Sequence, residues 1–442
     1  MTERIPCKTE GCKATILPTT AAKTGGYCMP CHQWQEQQKY QAYLEQNRKT
    51  VNLYEGLTDP VEILKIMHAP RRHDPLIQYV RYPLKKERVY VSLTADQAGR
   101  MLDYAVELLS GSGDGDKDIA ENILLALVCY RNENIAGVLP ELMERGIYYP
   151  SILYKDAPAE IRDRLLEQVE QDDENRNHIL LILSWIGDSE VVGRFREWRV
   201  HPPQWAERLY VAPEVYALEA GWELTSDGKR RDLIHPPNYA IALSDEPEPK
   251  RGQADADGPP VASFLVLESS SSVCPWCKGK LNALIDVDAS HPSVAYLGLS
   301  TERLRVETCE RCGCFGIIYM ELDSRGVPVW SRFNREPDYL PVFDPEDSEP
   351  FDAAGNAGEP TLSETPRSPF YAAEWGMSQQ GSQIGGHPGW VQDAEYPQCP
   401  CCDQRMRFVG QVDWDDFDMG EGVFYMFVCP EDRLTAGVYQ QS

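Results

Sequence analysis

Closely spaced cysteine pairs constrain this chain more than any other feature of its sequence. Cys7 and Cys12 have four residues between them, and after fifteen more residues come Cys28 and Cys31, two residues apart. Two tight turns facing each other can offer four thiolates to one tetrahedral ion, which is the arithmetic of a zinc site. Gly11, Gly25 and Gly26 sit beside the pairs where the backbone must turn, and His32 is an alternative to Cys31 as last ligand. Between the pairs the large apolar residues are Ile16 and Leu17, too little to fold on burial. Metal binding is therefore expected to provide the folding energy of this segment.

The pattern recurs twice. Cys274-Pro-Trp-Cys277-Lys-Gly279 and Cys309-Glu-Arg-Cys312-Gly313 form the strongest motif in the chain, two knuckles each followed by glycine. A Cys-x-x-Cys turn can also act as a redox dithiol. That chemistry sits at a helix start, whereas 281–287 reads as a strand, and the matched second pair would be left without a purpose. Further on, Cys399-Pro-Cys401-Cys402 faces Cys429-Pro-Glu-Asp432, where an aspartate stands in place of a fourth cysteine. Asp432, Cys314 and Cys401 are the candidates to complete that last site. The expected cofactor is Zn2+, two or three ions per chain.

At 442 residues the chain is long enough for several domains, and 42% hydrophobic content gives each of them material for a core. The formal charge is −26. Phosphate binding draws on counterion release from a basic surface, so nucleic acid is disfavoured as a partner. A basic protein partner or plain solubility fits better. No apolar leader follows Met1 and no run approaches the ~18 apolar residues of a membrane span, so a cytoplasmic protein with no membrane partner is expected. In that compartment paired cysteines are metal ligands rather than disulfides.

Along the chain, 33–47 reads as a polar helix with a weak stripe of Trp34, Tyr40, Tyr43 and Leu44, and Arg71, Arg72, Arg81, Lys85, Lys86 and Arg88 form a basic cluster. Arg88 to Leu93 alternates as a short strand would. Thr94-Ala-Asp-Gln97 is a capping box that opens a helix over 95–110. The Gly- and Asp-rich loop at 111–116 matches neither a phosphate loop nor a calcium loop. Residues 123–142 align without a gap on 179–198, each copy an apolar helix, a polar turn and a second helix. Such a helical-hairpin repeat resembles HEAT-like units. Cys129 reads as a buried small hydrophobe and His178 as a helix-end residue. The expected architecture is multidomain α+β. A zinc-binding segment and helix cover 1–55, an α-helical HEAT-like repeat domain 56–243, an acidic linker 244–261, and an antiparallel β-rich domain with its zinc ribbon 262–442, interrupted by an exposed insertion at 345–369.

From Ile384-Gly-Gly-His-Pro-Gly-Trp-Val-Gln392 through Cys399, Cys402, Met406, Gln411-Val-Asp413 and Gly422 to Cys429 and Tyr439-Gln440, the order and spacing resemble the bacterial YwqG-like family, a domain of unknown function. The likeness is close over the last 60 residues or so and looser back to about 262. It leaves out the N-terminal cysteines and the helical repeat. It implies a mainly antiparallel α+β fold, a bacterial source and a role near polymorphic toxin systems, where such domains are suspected as immunity proteins. It implies no catalytic residues.

The expected function is accordingly a zinc-stabilised, non-enzymatic interaction protein of the immunity or antitoxin type that binds a basic toxin or effector. Trp414, Asp415, Asp416, Phe417 and Asp418 are the candidate docking residues, aromatics anchoring and carboxylates steering. The Gly385–Trp390 loop is a second candidate for presentation to a partner. The alternative is a metal-dependent hydrolase or thiol oxidoreductase, against which stands the lack of His-Glu-x-x-His, Gly-x-Ser-x-Gly or paired histidines. A zinc-ribbon adaptor in transcription is a further alternative, disfavoured by charge.

Overall fold

The computed structural model describes residues 3–111, 113, 115–243, 265–341, 360–373, 381–417 and 419–441. The expected linker 244–261, residues 345–359 of the expected insertion 345–369, and Asp418 lie outside the described residues. The chain forms two compact units, Met1–Leu93 and Thr94–Ser442.

The first unit starts with the hairpin of β1 (Ile5–Pro6) and β2 (Thr15–Ile16), then α1 (Pro18–Thr24) and α2 (Met29–Asn47), both with proline in the first turn, where its missing N–H costs nothing. Only Leu44 of the nineteen residues in α2 is buried, and Trp34, Tyr40 and Tyr43 are exposed. Next, β3 (Lys49–Val51) pairs in parallel with β4 (Ile77–Tyr79) around α3 (Pro60–His68), whose N-cap Asp59 accepts from the Val61 N–H. The strand expected at Arg88–Leu93 is instead a helix, α4 (Lys86–Ser92). Val89, Tyr90 and Leu93 are buried while Val91 is exposed, the i, i+1, i+4 spacing of a helix face rather than the alternation of a strand. Within the basic cluster, Arg71 donates to the Tyr54 hydroxyl at 2.8 Å and lies over the Tyr79 ring.

The second unit opens with α5 (Ala95–Ser110), which has the expected capping box, packed on α6 (Asp116–Arg131). Then follow α7 (Leu139–Glu144), α8 (Ala159–Gln168), α9 (Arg176–Ile186) and α10 (Ser189–Val200). Both repeat copies fold as helix, left-handed turn residue (Asn132, Gly187) and second helix. They differ in length, six residues in α7 against twelve in α10. The leading helices α6 and α9 each pack on the 3-10 turn Ser151–Tyr154, where a solenoid would stack one hairpin directly on the next. Cys129 is buried within α6. A short hairpin of β5 (Trp222–Leu224) and β6 (Arg230–Asp232) closes this part, with the buried Trp222 donating to Ser184 O at 2.8 Å and stacking on Phe195.

The β-rich part begins earlier than expected. Strand β7 (His235–Leu243) lies inside an eight-stranded antiparallel sheet, so a boundary at 243 would cut that sheet. The remaining strands are β8 (Leu265–Val273), β9 (Lys280–Asp288) and β10 (Arg303–Thr308), followed by the single turn α11 (Glu310–Gly313). After it come β11 (Ile318–Leu322), β12 (Pro328–Trp330), β13 (Pro360–Leu362), β14 (Gln383–Gly386), β15 (Arg407–Asp413), β16 (Val423–Cys429) and β17 (Leu434–Gln440). The large sheet runs β12-β11-β17-β16-β15-β14-β7-β13, and a separate three-stranded sheet runs β10-β9-β8. Every residue of β16 is buried, as an unbroken apolar run in mid-sheet requires. Phe424, Met426 and Val428 face a core shared with the three-stranded sheet, while Tyr425, Phe427 and Cys429 face one built with Trp390, Tyr396 and Cys399. Complete burial of each such side chain is worth about 1.5–3 kcal/mol.

The Gly385–Trp390 loop is not presented to solvent; every residue of 382–390 is buried. Gly385 and Gly386 have φ of 70° and 69°, and a Cβ on Gly385 would stand 2.1 Å from Pro237 O, so only glycine admits β7 here. Side chains from neighbouring strands take the place of a ladder. Gln383 Nε2 donates to Gly385 O and His387 O, Gln411 Oε1 accepts from Gly389 N, and the Tyr425 hydroxyl accepts from Val391 N and donates to Gly389 O. In the expected docking loop the aromatics pack inward while Asp415 and Asp416 stay exposed. Phe417 is buried, Trp414 packs on Phe424 and Tyr439, and burial pushes the Asp413 carboxyl up to about 6.

Candidate metal centres

Three groups of four side chains bring their donor atoms within 4.8 Å of one another: Cys7, Cys12, Cys28 and Cys31; Cys274, Cys277, Cys309 and Cys312; Cys399, Cys402, Cys429 and Asp432. Sulfurs held 2.3 Å from a tetrahedral ion stand about 3.8 Å apart. Observed separations are 3.8 Å for Cys12–Cys28, 3.8 Å for Cys274–Cys312, 3.4 Å for Cys277–Cys309 and 3.7 Å for Cys402–Cys429. Each cluster therefore has the dimensions of a metal cage.

In the first cluster the β1–β2 hairpin carries Cys7 and Cys12, with Gly11 at φ 78° making the turn. Cys28 caps α2 and Cys31 sits in its first turn, where the free N–H groups and the helix dipole favour negative sulfur. The Cys28 amide donates to Cys7 Sγ at 3.2 Å and, with Thr9, pulls that thiol down to about 6. His32, the alternative ligand, is outside the cluster; Cys31 is in it.

The second and third clusters use the same knuckle. Cys274 N donates to Gly279 O and Lys278 N to Cys274 O, with Lys278 at φ 64°. Cys399 N donates to Gln404 O and Asp403 N to Cys399 O, with Asp403 at φ 60°. The facing half of the second cluster is α11, with Cys309 at its N-cap. The cross-pair contacts Cys274–Cys312 and Cys277–Cys309 join all four sulfurs in one group, as a shared ion would and an isolated redox dithiol would not. Contacts with Cys309 and then Cys312 hold Cys274 well below the usual thiol range.

In the third cluster Cys429 ends β16 and Asp432 lies in the turn to β17. Asp432 Oδ2 accepts from Cys399 Sγ at 3.2 Å and from Cys429 Sγ at 3.4 Å. Hydrogen bonds from Cys402 first, then Cys399, hold the Asp432 carboxyl below its usual range, while burial raises the Cys399, Cys402 and Cys429 thiols. Of the three candidates for fourth ligand, the fold brings in Asp432. Cys401 is exposed, and Cys314 is exposed with its Sγ against Glu310 O, so both stay outside. Glu431, which nothing but its position beside Asp432 singles out in the sequence, places Oε2 3.6 Å from Cys429 Sγ.

Elsewhere a shallow groove of about 280 Å³ is lined by Ser270, Asp286, Arg303, Arg305, Glu307 and Arg325. Its central charges neutralise one another: Arg303 and Arg305 both pair with Asp286, and Arg305 with Glu307. Among the described residues no helix is long and apolar enough to cross a membrane.

The chain is 38% identical to the uncharacterized protein YpfL of Salmonella typhimurium over 456 aligned positions that span 100% of each chain. No family model matches the sequence, and no solved structure matches it.

Proposed function

The chain belongs to the family of YpfL, and from that premise we propose that it is a zinc-stapled interaction protein that binds a basic protein partner through its second unit. The observation that carries this reading is the distribution of charge. Residues 1–93 hold 14 Lys and Arg against 9 Asp and Glu, leaving 29 against 60 in residues 94–442. So large an excess over one unit steers a cationic partner to it and repels acidic ones. Zinc in the three clusters staples a small N-terminal segment and two turns of the β-rich part, each cage being completed by four protein donors. Structural zinc of this kind leaves no coordination position for a substrate.

The immunity or antitoxin character is the finer part of the proposal. It rests on the YwqG-like residues between Ile384 and Gln440, and the acidic excess of residues 94–442 would offer such a partner a complementary surface. Co-expression with the product of the adjacent gene tests it. Co-purification that weakens as salt rises is expected; failure to co-purify with either neighbour, at low salt too, would sink the immunity reading.

A further inference from the structure

The second and third clusters share one knuckle, hydrogen bond for hydrogen bond, and differ in the fourth donor and in exposure. We propose that Cys399, Cys402, Cys429 and Asp432 form an exchangeable site for a soft divalent cation, zinc in the first instance, while the other two clusters keep their zinc. This rests on reading all three clusters as zinc sites. Thiolate is the soft donor that selects zinc, and a carboxylate suits harder ions. Release from a four-thiolate cage must break a zinc–sulfur bond, whereas here the first ligand to leave is a carboxylate that water can replace.

The position of that carboxylate favours exchange. Cys399 and Cys429 form a buried floor, and Cys402 and Asp432 a half-buried rim open to solvent. In the second cluster Cys274, Cys309 and Cys312 are all buried, and Cys277 alone is half-buried. At the rim of the third, exposed Glu431 offers a second carboxylate 3.6 Å from Cys429 Sγ, placed to take up an incoming cation or a vacated coordination position. Entry of the ion sends the protons of the three thiols to solvent, and its departure takes them back. The floor cysteines belong to the core around Trp390, Tyr396 and Phe427, and the β16–β17 ladder continues beside them through seven residue pairs. Exchange at this rim therefore loosens the turn at 399–403 without unfolding the sheet.

The test uses the full chain, purified without chelator and loaded with zinc. Total zinc is counted after thiol modification, and release from the native protein is followed with the chromophoric chelator 4-(2-pyridylazo)resorcinol. Three ions are expected, one of them released at least about tenfold faster than the other two and with unchanged far-UV circular dichroism. Asp432→Cys should make all three slow, and Asp432→Ala should leave two. Cobalt substitution gives a second readout, since the fast equivalent should show weaker thiolate-to-cobalt charge transfer than the slow ones. Three equally slow ions, or a fast ion that persists in Asp432→Cys, would overturn the exchangeable site. Two slow ions and no third would overturn it while leaving zinc stapling intact, and no bound zinc at all would overturn both.

Discussion

His387 couples the fold to pH. Its ring is 2% exposed, with Nε2 2.8 Å from Glu219 O, Nδ1 2.8 Å from Pro388 O, and Trp185 packed 4.7 Å away. Both ring nitrogens face carbonyl oxygens, yet a neutral imidazole has one N–H to donate. Two opposed effects act here: burial disfavours the imidazolium, and the two carbonyls favour it. Burial wins and lowers the group from 6.5 to about 4. The folded state then binds fewer protons than the unfolded state between those values, so the stability associated with the neutral ring is fully present above pH 6.5 and lost as pH falls toward 4. Going from pH 7.5 to pH 5 should remove about 2 kcal/mol through this group alone. The assay is urea denaturation of wild type and His387→Gln at several pH values in that window. Other histidines and the thiol clusters titrate in both proteins and cancel in the difference. The wild type should lose about 2 kcal/mol more than the variant on going to pH 5. Parallel curves would refute the burial argument, and a wild type that gains on the variant as pH falls would mean that His387 is a buried cation held by the two carbonyls and Trp185.

Other substitutions probe the frame. Cys309→Ser should remove one zinc equivalent and lower the thermal midpoint, because structural zinc binding is folding free energy; metal analysis after gel filtration checks it. Gly410→Ala would place a Cβ 2.3 Å from Gln383 O across the β14–β15 pairing, where backbone on both sides must move. A loss of about 3 kcal/mol is expected in chemical denaturation, at the upper end for overpacking. Trp222→Ala empties a fully buried site between α9, α10 and β5 and strands Ser184 O, so about 3–5 kcal/mol should be lost. A loss below 1 kcal/mol would mean that the helical part tolerates a cavity there.

What was legible in the sequence followed a strict local rule. Four-donor cages need paired cysteines and turn residues, α5 has its capping box, and β16 is an unbroken apolar run that only a strand buried on both faces can use. Where two periods fit one short run, sequence could not choose. Val89 and Val91 suggest alternation, and only burial of Val89, Tyr90 and Leu93 together reveals α4. Strand β7 is not legible in the sequence because Pro236 and Pro237 cannot donate to a ladder, and because Asn238 within it is polar yet buried, donating to Gln383 Oε1 at 2.7 Å. Partners in such a pair lie 145 residues apart, beyond the reach of hydropathy. Trp414 and Phe417 looked like docking anchors because an aromatic among carboxylates serves a hairpin's core contact as well as an interface, and the chain alone does not say which.

The buried polar side chains also decide how the Gly385–Trp390 loop should be understood. Its backbone lacks ladder partners over several residues, and a buried unpaired amide or carbonyl costs about 1–3 kcal/mol. Gln383 from β14, Gln411 from β15, Tyr425 from β16 and Gln440 from β17 reach it or the residues just after it, one side chain from each of four successive strands. The residues that give this region its recognisable spacing are thus the ones that satisfy a buried loop. They are constrained by the fold, and among the described residues Trp390 Nε1 and Asp413 Oδ2 are left buried without a hydrogen-bond partner. Gln411→Leu keeps the volume and strands Gly389 N and Gly381 O, and should lower stability by about 2–4 kcal/mol across the two groups. If partner binding by the remaining folded protein falls as well, the loop recognises something after all; unchanged binding places recognition on the acidic exterior of the second unit.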